Sequence, residues 1–385
     1  MADLNAKFGR VLIVGGAGFV GYHITKCFRE KAECSSLAVL SRNPDQDMIP
    51  GVSYHTGDLL HPESLRKTVT EIRPEIIIHA ACPPSTSSHI KTHHSVTVGG
   101  TSTLLDISRT VESVKIFIYV SSTTIAAGSE HKNLDESAPS IDHDDIWAHP
   151  YGKCKAIADR MVLDANSPAP TDKGEKVLLT ACLRLPLVYG ERDLLSIPGC
   201  LRALERNQTG VLFGDGHNEW DFLSVENAAY AHLLLASGLN DRLVNGGDLS
   251  RPKLDGEAFN ITDGVRHNFW DYPHLVWEAA GWQRPQGYKP LKLAPWLVHL
   301  MALIFELFWW VSSLGQQLPT TFTRQEIIFA CFEHTYQIEK AKQRLNYHPS
   351  GDFKEGIDRA VRWCLENNGW AGRLKVSKPQ VSKQE

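Results

Sequence analysis

Val11-Leu12-Ile13-Val14-Gly15-Gly16-Ala17-Gly18-Phe19-Val20-Gly21 is the stretch whose reading decides the fold. Four apolar residues in a row, bounded by glycines, read as a buried parallel strand. A helix can start at Gly18, because Ile24, Cys27, Phe28 and Lys31 recur at helical spacing. Gly15, Gly18 and Gly21 then form G-x-x-G-x-x-G across a strand-to-helix turn. Glycine permits the tight turn, lets backbone N–H groups approach a pyrophosphate, and lets the helix pack on the strand. The diphosphate would sit at the helix N-terminus, where unpaired donors and the dipole favour negative charge. A glycine triplet alone also fits an ordinary turn. The strand before it and the helix after it favour a dinucleotide site on Gly15, Gly16, Ala17, Gly18, Phe19, Val20 and Gly21.

Outward from that turn, strands and helices alternate. Leu37–Leu40, Val52–Tyr54, Ile76–His79, Ile116–Val120 and Val177–Leu183 read as strands. Pro62–Ile72, Val98–Ser108 and Tyr151–Ala165 read as helices. Such alternation predicts an α/β fold, a Rossmann-type doubly wound parallel sheet, with ligands at the carboxyl ends of its strands. Asp58-Leu59, His79-Ala80-Ala81 and Ser121-Ser122 fall at those ends. After Gly190 the pattern stops and a smaller mixed region begins. The expected division is 1–190 for the dinucleotide-binding domain, 191–370 for a substrate-binding region, and 371–385 for a disordered polar tail.

The end of the second strand bears on cofactor choice. An NAD-preferring fold places an acid roughly 20 residues after the glycines to bind the ribose 2′-hydroxyl. Here the strand ends in Ser41-Arg42-Asn43, and the nearest acid is Asp45, beyond a proline. Arg42 suits a 2′-phosphate, a charge-assisted contact worth about 1.5–3 kcal/mol. The expectation is NADP in preference to NAD, against the plainer alternative of a solvated surface arginine.

Tyr151-Gly152-Lys153-Cys154-Lys155 carries the chemistry. The i, i+4 spacing puts phenol and ammonium on one helix face. A free phenol has a pKa of about 10, so a base working near neutrality needs a drop of roughly three units, or about 4 kcal/mol. A neighbouring lysine and an oxidised nicotinamide can supply it. Y-x-x-x-K alone occurs in many helices that do nothing. Ser122, at the tip of the fifth strand, is the natural third member, able to hydrogen-bond a reacting hydroxyl.

Composition narrows the alternatives. The chain has 385 residues, 42% hydrophobic and 22% charged, as in an ordinary globular enzyme. A formal net charge of −4 argues against nucleic acid as a partner. Eight cysteines without a C-x-x-C argue against zinc or a disulfide framework and suit a reducing compartment. His89, His93 and His94 have helix-like spacing but no nearby carboxylate or cysteine to complete a ligand set, so no metal site is expected. Asp142, His143, Asp144 and Asp145 read as a solvated loop. Met1 to Arg10 has no apolar core of a signal peptide, so none is expected.

These motifs together resemble the extended short-chain dehydrogenase/reductases. Within them the chain is most similar to the 3β-hydroxysteroid dehydrogenase group, especially the sterol-4α-carboxylate 3-dehydrogenases (decarboxylating). The likeness is carried by His79-Ala80-Ala81-Cys82-Pro83-Pro84-Ser85, Leu183-Arg184-Leu185-Pro186-Leu187-Val188-Tyr189-Gly190, Asp221-Phe222-Leu223-Ser224-Val225-Glu226-Asn227 and Phe259-Asn260-Ile261-Thr262. It covers about residues 9 to 368. It implies a catalytic Ser122, Tyr151 and Lys155. It also implies a cofactor held by the glycine turn, Ser41, Arg42, Asp58, Leu59, His79, Ala80, Ala81, Ser121, Tyr151, Lys155, Pro186 and Val188. Ile197–Asn207 and Val211–Val225 would line a pocket for a sterol or sterol-like terpenoid, and a homodimer is admitted. The chain departs from the pattern at Thr97, where the group carries an asparagine that supports the lysine's proton path. A nucleotide-sugar epimerase or dehydratase shares every first-half motif, and an NAD(P)-sensing regulator shares the cofactor motif.

The apolar stretch within 295–319 has no place in a soluble sugar-nucleotide enzyme. Its tryptophans suit a helix lying in a membrane interface, with His299 and Glu306, seven residues apart, turned toward water. A full span would take Glu306 into hydrocarbon without an evident partner. A buried core helix is the alternative. The expected location is the cytosolic face of the endoplasmic reticulum membrane, or the cytoplasm in membrane-associated form.

Overall fold

The structure is a computed structural model and describes residues 6–44, 48–87, 89–145, 148–169, 176–244 and 252–374. Asp45, the nearest acid to Arg42, lies outside them. Strand β1 (Ala6–Val14) pairs in parallel with β2 (Ala32–Ser41) on one side and with β4 (Ile76–His79) on the other. β3 (Ser53–Thr56) extends the sheet beyond β2, and β5 (Ile116–Ser122) lies beyond β4. Leu179–Leu185 and Glu257–Asn260 complete seven parallel strands. Chain order reverses between β1 and β4, so a crevice opens there at the carboxyl ends of the strands.

The run Val11–Val14 is buried on both faces because helices cover both. Val11 and Ile13 join one apolar cluster with Ile24 and Phe28 of helix α1 (Phe19–Lys31). Leu12 and Val14 join another with Leu65, Leu104 and Val162 from the opposite side. That double burial is why the strand reads as continuous rather than alternating.

The sequence expects one helix over Val98–Ser108. The structure has a turn of helix at Ile90–His93, a wide π turn at His94–Gly99 and an α-helix at Gly100–Thr110. Thr97 lies in the π turn, buried.

The second region does not part from the first at residue 190. Glu219–Ser224 forms a smaller sheet with Leu187–Tyr189, Arg266–Asn268 and His334–Tyr336, and His131–Leu134 adds the edge. The helix Val225–Val244 is buried nearly all round over its first twelve residues, and it returns to pack beside α1 on the large sheet. Glu257–Asn260 follows it as the seventh strand. The two regions therefore interleave in sequence. At the other end, Trp370–Leu374 is helical, with Trp370 and Ala371 buried against the 353–367 helix. The polar tail therefore starts later than residue 371, and 375–385 lie outside the described residues.

Candidate active site

Gly15 ends β1 with φ +86°, and a Cβ there would lie 2.6 Å from the Ala81 amide nitrogen. A Cβ on Gly21 would run into the Gly15 carbonyl oxygen. Only glycine lets the turn and the helix close up this far. Gly18 is the N-cap of α1 with no side chain over the first amides, and the first turn has no acid. The open amides form a cradle that fits a diphosphate. The Ala80 amide donates to the Val14 carbonyl at 2.8 Å, which sets His79-Ala80-Ala81 against the glycine turn.

At the crevice edge, the Ser41 carbonyl accepts from the Gly57 amide at 3.0 Å. Arg42 follows, exposed. The half-buried Asp58 uses Oδ1 to cap the Leu60 amide at 3.0 Å, and Leu59 is buried under Gly100. Pro186 and Val188 lie where the 179–185 strand passes to 187–189, both half-buried. The Ser121 hydroxyl does not join this group. It donates to Asp159 at 2.6 Å, which is ion-paired with Arg184.

Ser122, Tyr151 and Lys155 do come together. Tyr151 and Lys155 lie one turn apart on the helix Pro150–Asp164, which Pro150 opens at its first position. His149 caps that helix, its Nδ1 accepting from the Tyr151 amide at 3.3 Å. The Ser122 hydroxyl accepts from the Thr124 amide and hydroxyl at 3.2 and 2.9 Å and faces the Leu185 carbonyl at 3.3 Å. It lies beside the Tyr151 phenol. Burial pushes that phenol well above its ordinary pKa, Cys82 nearby adds to this, and the Ser122 hydroxyl opposes it. Lys155 is buried and donates to the Val120 carbonyl at 2.7 Å, with Nζ 4.6 Å from the centre of the Tyr119 ring.

The sequence reading missed several groups around this trio. His93 packs edge-on against both Tyr151 and His149, with ring centres 6.1 and 6.3 Å apart. Burial holds His149 at about 4, with His93 and then Arg324 adding to it, so it is neutral. His79 is fully buried and held at about 3, by burial first and by Lys155 second. Its Nε2 bonds the Thr101 hydroxyl at 3.1 Å, and that hydroxyl donates to the Thr97 carbonyl at 2.5 Å. Cys82 lies within the His79–Ser85 motif and Tyr119 two residues before Ser121-Ser122, which was the available signal. Among the described residues, the one close grouping of metal-ligating side chains is Asp142, His143 and Asp144, all exposed.

The apolar stretch is a helix, Pro295–Ser312, long and apolar enough by length and composition to cross a membrane. Its seating reverses the expected one. Glu306 does not turn to water: it is buried with Val298 and Ala302 along one stripe, beside Ile327, Phe213 and Phe322. Its carboxylate accepts from the Arg324 amide at 2.7 Å and from Arg324 Nε at 2.6 Å. The outward face carries Trp296, Leu300, Ile304, Phe308, Trp310 and Val311, between 46% and 70% exposed. Just past the helix, the Gln316 carbonyl accepts from the Ile90 amide at 3.4 Å, and His89 bridges Gln317. That ties the helix to the segment carrying His93 beside Tyr151.

The family model described as the 3-beta hydroxysteroid dehydrogenase/isomerase family matches residues 12–293. A sterol-4-alpha-carboxylate 3-dehydrogenase (decarboxylating) of Schizosaccharomyces pombe is 31% identical over 91% of this chain and 96% of its own. The Mus musculus protein of that description is 27% identical over 93% and 91%. Among solved structures, an epimerase of Methanothermobacter thermautotrophicus has a TM-score of 0.66 at 19% identity, covering 96% of this chain and 95% of its own. A dTDP-glucose 4,6-dehydratase of Streptomyces venezuelae, solved with NAD bound, has a TM-score of 0.65 at 20% identity, covering 95% and 99%. At such identities these two structures speak for the fold.

Proposed function

The chain belongs to the 3-beta hydroxysteroid dehydrogenase/isomerase family and is an NAD(P)-dependent oxidoreductase of that type; we propose that it oxidises the 3β-hydroxyl of a sterol or sterol-like terpenoid. The observation that carries this reading is Ser122 and Tyr151 side by side, with Lys155 one helical turn from Tyr151, in a fold whose glycine turn fits a diphosphate. The α1 amides and the glycine turn would hold the diphosphate, and Arg42 would meet a 2′-phosphate, which favours NADP. When bound, the nicotinamide accepts the hydride that leaves C3.

The protein groups divide the remaining work. Ser122 orients the substrate oxygen through its hydroxyl. Tyr151 as phenolate takes the hydroxyl proton while the C3–O bond becomes a carbonyl. Burial alone keeps that phenol protonated, so the base forms only when positive charge stands beside it, which Lys155 and the oxidised cofactor together supply. On a substrate with a 4-carboxylate, the product is a β-keto acid. Its C3 carbonyl takes up the electron pair of the C4–carboxylate bond as CO₂ leaves. The relatives' names support that extension.

The helix Pro295–Ser312 would lie in a membrane interface rather than cross it. Glu306, Val298 and Ala302 hold one side to the protein, and the aromatic and aliphatic face is left for lipid. Each large side chain buried there adds roughly 1.5–3 kcal/mol. Its tie to the His89–His93 segment supports a place for that face near the site, where a sterol would enter from lipid.

Product analysis by mass spectrometry on a panel of 3β-alcohols, with and without a 4-carboxylate, tests the reading. A 3-ketone with equivalent reduced cofactor supports it. Turnover of sugar nucleotides with no 3-ketone from any sterol would overturn it.

A further inference from the structure

We infer that Tyr119 is a positioning residue for the base: the face of its ring holds the Lys155 ammonium at the place from which that charge acts on Tyr151. This rests on the reading of Tyr151 as base and adds a residue to it. Lys155 is captured by two consecutive residues of β5. The Val120 carbonyl takes one N–H at 2.7 Å, and the Tyr119 ring lies under Nζ at 4.6 Å. Both residues are buried, so the attraction between ammonium and ring is little weakened by water. The Tyr119 hydroxyl, by contrast, has no hydrogen-bond partner among the described residues. What Tyr119 contributes is therefore its ring.

The other groups around the ammonium do not duplicate that hold. On its own helix, Tyr151 lies one turn before it, and Asp159, one turn after, is taken by Arg184 and Ser121. From β4, His79 packs on Tyr119 at 5.4 Å between ring centres and is kept neutral by burial. From the 179–185 strand, burial keeps the Cys182 thiol protonated. From the 94–110 segment, Thr97 and Thr101 offer no charge. Near Tyr151 stand Cys82 and the imidazoles of His93 and His149, both held low by burial. With the imidazoles neutral, the Cys182 thiol protonated and Asp159 already paired, none of these groups holds Lys155 before Tyr151 ionises. If the ring's negative face is removed, the ammonium keeps one carbonyl and drifts within its pocket.

The experiment compares four full-length proteins by the pH dependence of kcat/KM with a 3β-alcohol: wild type, Tyr119→Phe, Tyr119→Leu, and a variant with trifluorinated phenylalanine at position 119. The last keeps the shape of Phe and weakens the ring's negative face, so it folds where Leu could fail. The rising limb of activity should stay in place for Tyr119→Phe. It should move up by about one pH unit for the fluorinated ring and for Tyr119→Leu, with activity about tenfold lower on the limb and recovered at high pH. Cofactor dissociation constants should change less than threefold. A fluorinated variant with the same limb as Tyr119→Phe would overturn the inference. Tyr151→Phe, run alongside, separates this from failure of the parent reading: near-normal turnover there would overturn the base assignment itself.

Discussion

Replacing Glu306 by alanine separates a helix seated on the protein from one that merely lies near it. Glu306 is 6% exposed in the middle of a mostly apolar helix and takes two charge-assisted hydrogen bonds from Arg324. Removing one partner of a buried pair costs about 3–5 kcal/mol, because the other charge loses its counter-ion. Arg324 is 23% exposed in its side chain, so water can reach it and the cost falls to about 2–3 kcal/mol. Glu326, which burial holds above the usual carboxyl range and Glu306 pushes further, recovers a small part when that charge goes. Glu306→Gln keeps an acceptor in place and should cost about 1 kcal/mol. The assay is urea unfolding of detergent-solubilised protein, comparing midpoints at equal m-values. A Glu306→Ala protein within about 0.5 kcal/mol of wild type would refute the reasoning. It would mean that Val298, Ala302 and Ile327 hold the helix without the ion pair.

Other outcomes follow from the same geometry. Arg42→Ala should weaken NADP by roughly 10- to 100-fold and NAD hardly at all, measured by dissociation constants, since only one carries a 2′-phosphate. Equal losses would make Arg42 an ordinary surface residue. Stability should fall in mild acid. His79, His232 and His334 are held at about 3, 4 and 3 by burial, so the unfolded chain binds protons below pH 6.5 that the native protein refuses. At pH 5 each loses about 2 kcal/mol, while Asp221, raised to about 6, returns about 1 kcal/mol as it protonates. A urea midpoint equal at pH 7.5 and pH 5 would contradict this. A variant with Phe305, Phe308, Trp309 and Trp310 made polar should leave membrane pellets for the supernatant and keep its fold by circular dichroism, and wild-type protein soluble and monodisperse without detergent would count against the lipid-facing helix.

What the sequence makes legible is what is local. The turn from Val11 to Gly21 carries its own strand, glycines and helix start, and the structure reproduces them. β4 at Ile76–His79 appears with the expected limits, because a short apolar run flanked by polar residues has few other registers. Tyr151 and Lys155 share a face by helical spacing alone. The seating of the apolar helix is not legible, because spacing alone turns its polar residues to water. Its outer face is the apolar one, and the partner of Glu306 lies 18 residues on, past the helix end. The hold of Tyr119 on Lys155 joins strand to helix across the sheet, which periodicity cannot report. The 225–244 helix gave no amphipathic signal because its first twelve residues are covered nearly all round.

The proposed reaction is net transfer of the C3 hydrogen, as hydride, from a 3β-alcohol to the nicotinamide, with Tyr151 as the base. A substrate deuterated at C3 tests it most directly, with the cofactor and the product weighed by mass spectrometry after partial turnover. One deuterium should appear in the reduced cofactor for each 3-ketone formed, or for each decarboxylated ketone from a 4-carboxylate, and Tyr151→Phe should lower that yield at least 10²-fold while still binding cofactor. Deuterium returned to recovered, epimerised alcohol with no net reduced cofactor would contradict the account.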